Sequence, residues 1–124
     1  MKLVIGGYAQ GKLRYILRRE AIPEKLVFDG RLPDTEGECV VINHLHELIR
    51  EQLREGKDPE EAIDAFTAKN PSCILICDEI GNGIVPMDAF EREYRERTGR
   101  ILIRLAEQAE EVVRVICGIG QRIK

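Results

Sequence analysis

The residues best placed to do chemistry stand near the start of the chain, Gly6-Gly7-Tyr8-Ala9-Gln10-Gly11-Lys12-Leu13. They follow a short apolar run and precede an amphipathic stretch, which predicts a strand, a glycine-rich turn and a helix. In such a turn successive backbone N–H groups face one phosphate, and the helix N-terminus adds partial positive charge. Lys12 would then reach the outer phosphates, the pattern being G-x-x-x-x-G-K. The competing reading is a plain strand-to-helix turn that uses Gly6 and Gly11 for close packing and leaves Lys12 solvated. In a working phosphate loop the hydroxyl directly after the lysine ligates Mg²⁺, and Leu13 offers no lone pair there. The pattern argues for nucleotide binding more strongly than for turnover.

A metal-side acid is expected at the end of another strand. The third apolar run ends Ile42-Asn43-His44, and Asn43 is a neutral, poor ligand for Mg²⁺. The fourth ends Asp78-Glu79, followed by Gly81 and Gly83. Ligands of parallel sheets sit outside the carboxyl ends of strands, so these carboxylates either line a site or solvate a strand end. His44 and His46 are two apart and form no compact metal pair by themselves; either one could serve as a base or nucleophile, or simply sit at a helix start. Cys39, Cys73, Cys77 and Cys117 all lie in apolar stretches and form no C-x-x-C pair, so buried reduced thiols are expected.

The elements that must position these residues alternate along the chain. Short apolar runs at 2–5, 26–28, 39–42, 73–77 and 112–117 are rich in Val and Ile and apolar on both parities. That is the signature of parallel strands buried on both faces, so five are expected. Helices are predicted over 12–21, ended by Pro23, over 45–56 and from Asp58-Pro59 onward, with Asp58 as N-cap. The stretch 87–110 puts Phe90, Tyr94, Ile101, Leu105 and Ala109 on one stripe, as one long helix or two meeting near Gly99.

With 124 residues the chain suits a single domain, 1–124, and its 44% apolar and 33% charged composition suits a globular one. Nineteen Lys and Arg against 22 Asp and Glu leave a net charge of -3, which argues against a general grip on nucleic acid. Any anion site must be local. No apolar run approaches the roughly 20 residues of a membrane span. The start MKLVIGG lacks the apolar core and cleavage site of a secretion signal, so a cytoplasmic protein is expected.

One half of the chain carries a more specific pattern. Asp78-Glu79-Ile80-Gly81-Asn82-Gly83-Ile84-Val85-Pro86, then Thr98-Gly99-Arg100, Leu105-Ala106 and Cys117-Gly118-Ile119-Gly120, resembles the adenosylcobinamide kinase/adenosylcobinamide-phosphate guanylyltransferase family. Gly6-Gly7 through Gly11-Lys12 is similar to that family's GGxRSGKS loop. The resemblance implies a P-loop NTPase-like three-layer α/β fold with a mostly parallel sheet, GTP or ATP as ligand, and a corrinoid substrate, adenosylcobinamide. It also implies a homo-oligomer, a trimer in family members. The nucleotide would contact Gly6, Gly7, Tyr8, Ala9, Gln10, Gly11, Lys12, Leu13 and Asn43, with Lys12 and Glu79 as the catalytic pair.

The chain departs from the family at the places that matter for turnover. Leu13 stands for the loop serine and Asn43 for the acid of the third strand. The segment between the second and third strands, which in the family carries the guanylylated histidine, is shortened and holds no histidine between Leu26 and Cys39. Two readings follow: a shortened kinase whose Mg²⁺ is held mainly by nucleotide and water and whose guanylyltransferase activity is lost, or a nonenzymatic nucleotide- or corrinoid-binding relative.

Overall fold

The computed structural model describes residues 1–81, 83–84 and 88–124. Six strands form one sheet: β1 (Lys2–Gly6), β2 (Val27–Asp29), β3 (Val41–Asn43), β4 (Ile74–Asp78), β5 (Glu111–Ile116) and β6 (Ile119–Arg122). Their order is β2-β3-β4-β1-β5-β6. Every neighbouring pair is parallel except β5 with β6. The chain is therefore mixed α/β with a mostly parallel sheet, as the alternating runs predict.

Side chains alternate across the strands and supply two cores. Leu3, Ile42, Leu75, Cys77 and Val112 face one side, under α2 (Leu45–Arg54), α3 (Pro59–Lys69) and α4 (Ala89–Gln108). Val4, Val41, Ile74, Ile76, Val113 and Val115 face the other, where Ile16 of α1 (Lys12–Glu20) closes the layer. Each fully buried aliphatic side chain contributes about 1.5–3 kcal/mol, which is why strands with no polar parity settle in the centre. Asp58 caps α3 through the N–H groups of Glu60 and Glu61, with Pro59 in the first turn. The long stripe forms one helix of 20 residues, and Gly99 does not break it. Position 87, where that helix was expected to begin, and Asn82, Val85 and Pro86 of the family-like motif lie outside the described residues.

Two expectations need correction. The sixth strand was not foreseen, because Cys117 reads as the end of an apolar run. In the structure Cys117 and Gly118 have φ of 50° and 74°, and Ile116 pairs with Ile119 across them. Two consecutive positive φ values make a tight hairpin whose twist matches the strands, so the chain turns back as an antiparallel edge. The four cysteines are free, but only Cys73 and Cys77 are buried; Cys39 and Cys117 are exposed. Cys117 sits at the hairpin tip, and Cys39 precedes β3 rather than lying in it.

The loop from Gly30 to Val40 is tied down by Asn70, which is fully buried. Its side chain donates to the carbonyls of Thr35 and Phe66 and accepts from the Thr35 hydroxyl and the Glu38 N–H. A buried amide with every group satisfied can fix a turn-rich segment that has little apolar area of its own.

Candidate functional site

Four strands deliver their last residues to one edge of the sheet. Gly6 ends β1 opposite Asp78 of β4, and Asp29 ends β2 opposite Asn43 of β3. A cavity of about 220 Å³ opens there, lined by residues 8–14 together with Asn43, His44 and Asp78. The structure thus gathers the loop and Asn43 around one hollow.

The loop is tightly built. A Cβ on Gly6 would come within 2.5 Å of the Val115 carbonyl oxygen of β5, so only glycine lets β1 turn out so close to its neighbour. Gly11, at φ of 85°, caps α1 in the left-handed region. Gln10 fastens the loop to the hairpin: its side-chain oxygen accepts from the Cys117 N–H at 2.7 Å and its carbonyl from the Gly118 N–H at 2.8 Å. Tyr8 stands 85% exposed above it.

Lys12 is buried, with only 7% of its surface exposed. Its Nζ donates to the Gly7 carbonyl at 2.6 Å and pairs with Asp78 Oδ1 at 2.7 Å. The solvated lysine of the plain-turn reading is not what is seen. The other Asp78 oxygen faces Nε2 of His46 at 3.5 Å, and the Asp78 N–H donates to Nδ1 of His46 at 3.2 Å. Because Nδ1 accepts, the proton of the neutral ring is on Nε2, directed at the carboxylate. Burial lowers the His46 pKa below its ordinary 6.5, with the negative charge of Asp78 opposing.

Glu79 goes elsewhere. Adjacent residues of a strand point to opposite sides, and Glu79 accepts two hydrogen bonds from Arg114, at 2.8 and 2.9 Å. A carboxylate committed to a bidentate arginine is poorly placed to act as base or metal ligand in the cavity. The carboxylate beside Lys12 is Asp78, which sequence reasoning located at the strand end without assigning it a partner. Strand parity sends Asp78 and Glu79 to opposite sides but does not say which of them meets Lys12.

His44 also belongs to the site. It caps α2 at φ of 55°, a left-handed conformation uncommon for a side chain of this size. Its Nδ1 meets Asp29 Oδ1 at 2.5 Å, and the Asn43 amide donates to the same oxygen at 3.2 Å. Among the described residues Nε2 of His44 has no protein partner. The two histidine rings meet edge to face, 5.5 Å apart.

The donor set does not fit a Mg²⁺ held by the protein. Leu13 lacks a hydroxyl, Asn43 offers only a neutral amide oxygen while its nitrogen donates to Asp29, and Asp78 is neutralised by Lys12. No group of three or more metal-ligating side chains occurs among the described residues. What the cavity does offer is a buried cation beside a glycine-rich turn at a helix start, where backbone N–H groups suit an anion. No helix among the described residues is long and apolar enough to cross a membrane.

Comparison with known proteins gives two relatives and one family. The bifunctional adenosylcobalamin biosynthesis protein CobU of Salmonella typhimurium is 45% identical over 51 residues, which is 41% of this chain and 28% of that protein. Its Escherichia coli K12 counterpart is 43% identical over 51 residues, with the same shares. The matched stretch is thus well under a third of either relative. The model of the cobinamide kinase / cobinamide phosphate guanyltransferase family matches far more, residues 19–123, beginning in α1 just after the glycine loop. On that extent of match, the chain belongs to the cobinamide kinase / cobinamide phosphate guanyltransferase family.

Proposed function

We propose that this chain is a nucleotide-binding member of its family, serving corrinoid metabolism by holding GTP or ATP at the loop Gly6–Leu13, without guanylyltransferase activity. The observation that carries the reading is Lys12, buried with its ammonium on the Gly7 carbonyl and its residue among those lining the cavity. A lysine kept desolvated beside backbone donors is costly unless an anion completes it, and here Asp78 does so until a phosphate arrives. Guanylyl transfer through a histidine finds little support in His46, whose two ring nitrogens both face Asp78. Adenosylcobinamide enters as substrate or ligand through family membership.

Titration calorimetry of GTP and ATP against the full chain tests this reading. Saturable binding that falls at least tenfold in Lys12→Ala is expected; no binding at millimolar nucleotide overturns it. Lys12→Ala strands the Asp78 carboxylate, so the double variant Lys12→Met with Asp78→Asn, which removes both charges, separates lost affinity from lost folding.

A second reading, a kinase acting on a corrinoid alcohol, is favoured by the Asp29–His44 pair beside the cavity. A carboxylate on Nδ1 fixes the tautomer that leaves Nε2 as acceptor, the form a general base requires. Transfer of labelled γ-phosphate to cobinamide that is lost in His44→Gln would establish it; binding without transfer leaves the first reading standing.

A further inference from the structure

Beside the loop lies a larger groove of about 740 Å³, between α1 and the β5–β6 hairpin. Its floor is the Gln10-Gly11 backbone, its far wall Cys117 and Gly118, and its near wall the α1 side chains Arg14, Tyr15, Arg18 and Arg19. Volumes of this order hold small molecules rather than single ions. No carboxylate lines it.

Arg19 is already occupied, by Glu20 and Glu111 and by its position over the Tyr15 ring. Tyr15 in turn is pressed on Gly120, where a Cβ would come within 2.4 Å of two ring carbons and the hydroxyl oxygen, so this wall is fixed. Arg14 and Arg18 differ. Both are exposed, and among the described residues neither has an ion pair, hydrogen bond or aromatic partner. Like charges four apart on a helix repel, and no acidic residue of α1's first turn relieves them. Arg14 moreover lines both cavities, so the groove and the loop hollow adjoin at its side chain.

We infer that the groove is a second anion subsite, in which Arg14 and Arg18 receive a further phosphate of the ligand whose first phosphate lies at the loop. The inference rests on the loop reading above. At about 1.5 Å of rise per residue, Arg18 stands roughly 9 Å along the helix from Lys12, with Arg14 between them. The ligand class that matches is a nucleotide with phosphate at both sides of its sugar, its nucleoside lying in the groove. The two guanidinium groups then supply positive charge of the kind a divalent cation would otherwise bring, and planar arginine donors suit phosphate oxygens.

Paired ligands test it in EDTA: adenosine 5′-monophosphate against adenosine 3′,5′-bisphosphate, and the two guanosine counterparts. In the full chain the second phosphate is expected to tighten binding by about tenfold, the effect of a pair of charge-assisted hydrogen bonds. In Arg14→Gln with Arg18→Gln, substitutions on an exposed helix face, that gain falls below about twofold while the monophosphate still binds. Equal affinity for mono- and bisphosphate, or a gain that survives the double substitution, overturns the inference. Monophosphate binding that depends on Lys12 but shows no gain keeps the loop reading and removes this one. A bisphosphate gain that needs the arginines but not Lys12 overturns the inference, because the first phosphate is then not at the loop. Failure of all four ligands to bind overturns the inference as well, while the loop reading is decided by the GTP and ATP titration.

Discussion

On the proposed reading, Asp78 is the residue that a phosphate would displace from Lys12, since its carboxylate already lies 2.7 Å from the ammonium. An anionic ligand entering the cavity meets that negative charge as well as the cation. Asp78→Asn removes the repulsion and leaves Lys12 unpaired, so GTP affinity in EDTA should rise at least about fivefold, like charges at a binding site being costly by on the order of 1 kcal/mol or more. Calorimetry reads this directly, and a fall in affinity would contradict the displacement of Asp78 from Lys12 by phosphate. His46 gives a second prediction at this scale. Its folded pKa is lowered by burial, so protons bind the unfolded chain more tightly than the folded one. The associated stability is complete above the ordinary value of 6.5 and is lost as pH falls through the folded value. Urea unfolding should therefore show a midpoint that drops below pH 6.5, and in His46→Gln this part of the drop should vanish.

Elements show where the sequence was readable and where it was not. Strands β1 to β5 were legible because each is apolar on both parities and bounded by turn residues, and α3 because Asp58-Pro59 marks its start. The antiparallel β6 was hidden because Ile119-Gly120-Gln121-Arg122 carries no alternation, and the turn before it is built by Cys117 at positive φ. Exposure of Cys117 follows from the same turn. Gly99 looked like a break in α4, but packing of Tyr94, Ile101 and Leu105 on the sheet carries the helix through it. A Cβ at Gly99 would meet nothing within 4 Å. Gly99→Ala should then stabilise the protein by about 0.5–1 kcal/mol, since a helical glycine loses more backbone freedom on folding than alanine. A higher denaturation midpoint with unchanged slope checks this.

At the scale of the molecule, the parallel sheet brings distant residues to one edge, which spacing along the chain cannot show. Lys12 with Asp78, Asn43 with Asp29 and Gln10 with Cys117 are separated by 66, 14 and 107 positions and join only through strand order. The loop itself was legible, because Gly6, Gly11 and Lys12 are set by local geometry. The choice between Asp78 and Glu79 was not, because it depends on which neighbour, Lys12 or Arg114, each side of β4 meets. The family match covers the sheet edge after residue 19 but not the loop, so the loop's role stands on its geometry.

The central claim is that the loop and Lys12 bind nucleotide phosphate without a protein-held metal, and GTP titration in excess Mg²⁺ and again in EDTA tests it most directly. The account predicts saturable binding in both, with dissociation constants within about threefold of each other, the protein offering no ligand set that Mg²⁺ would complete. Binding that appears only with Mg²⁺ would contradict it, and would place a metal on the Asp78 carboxylate now paired with Lys12 or on the Asn43 side-chain oxygen.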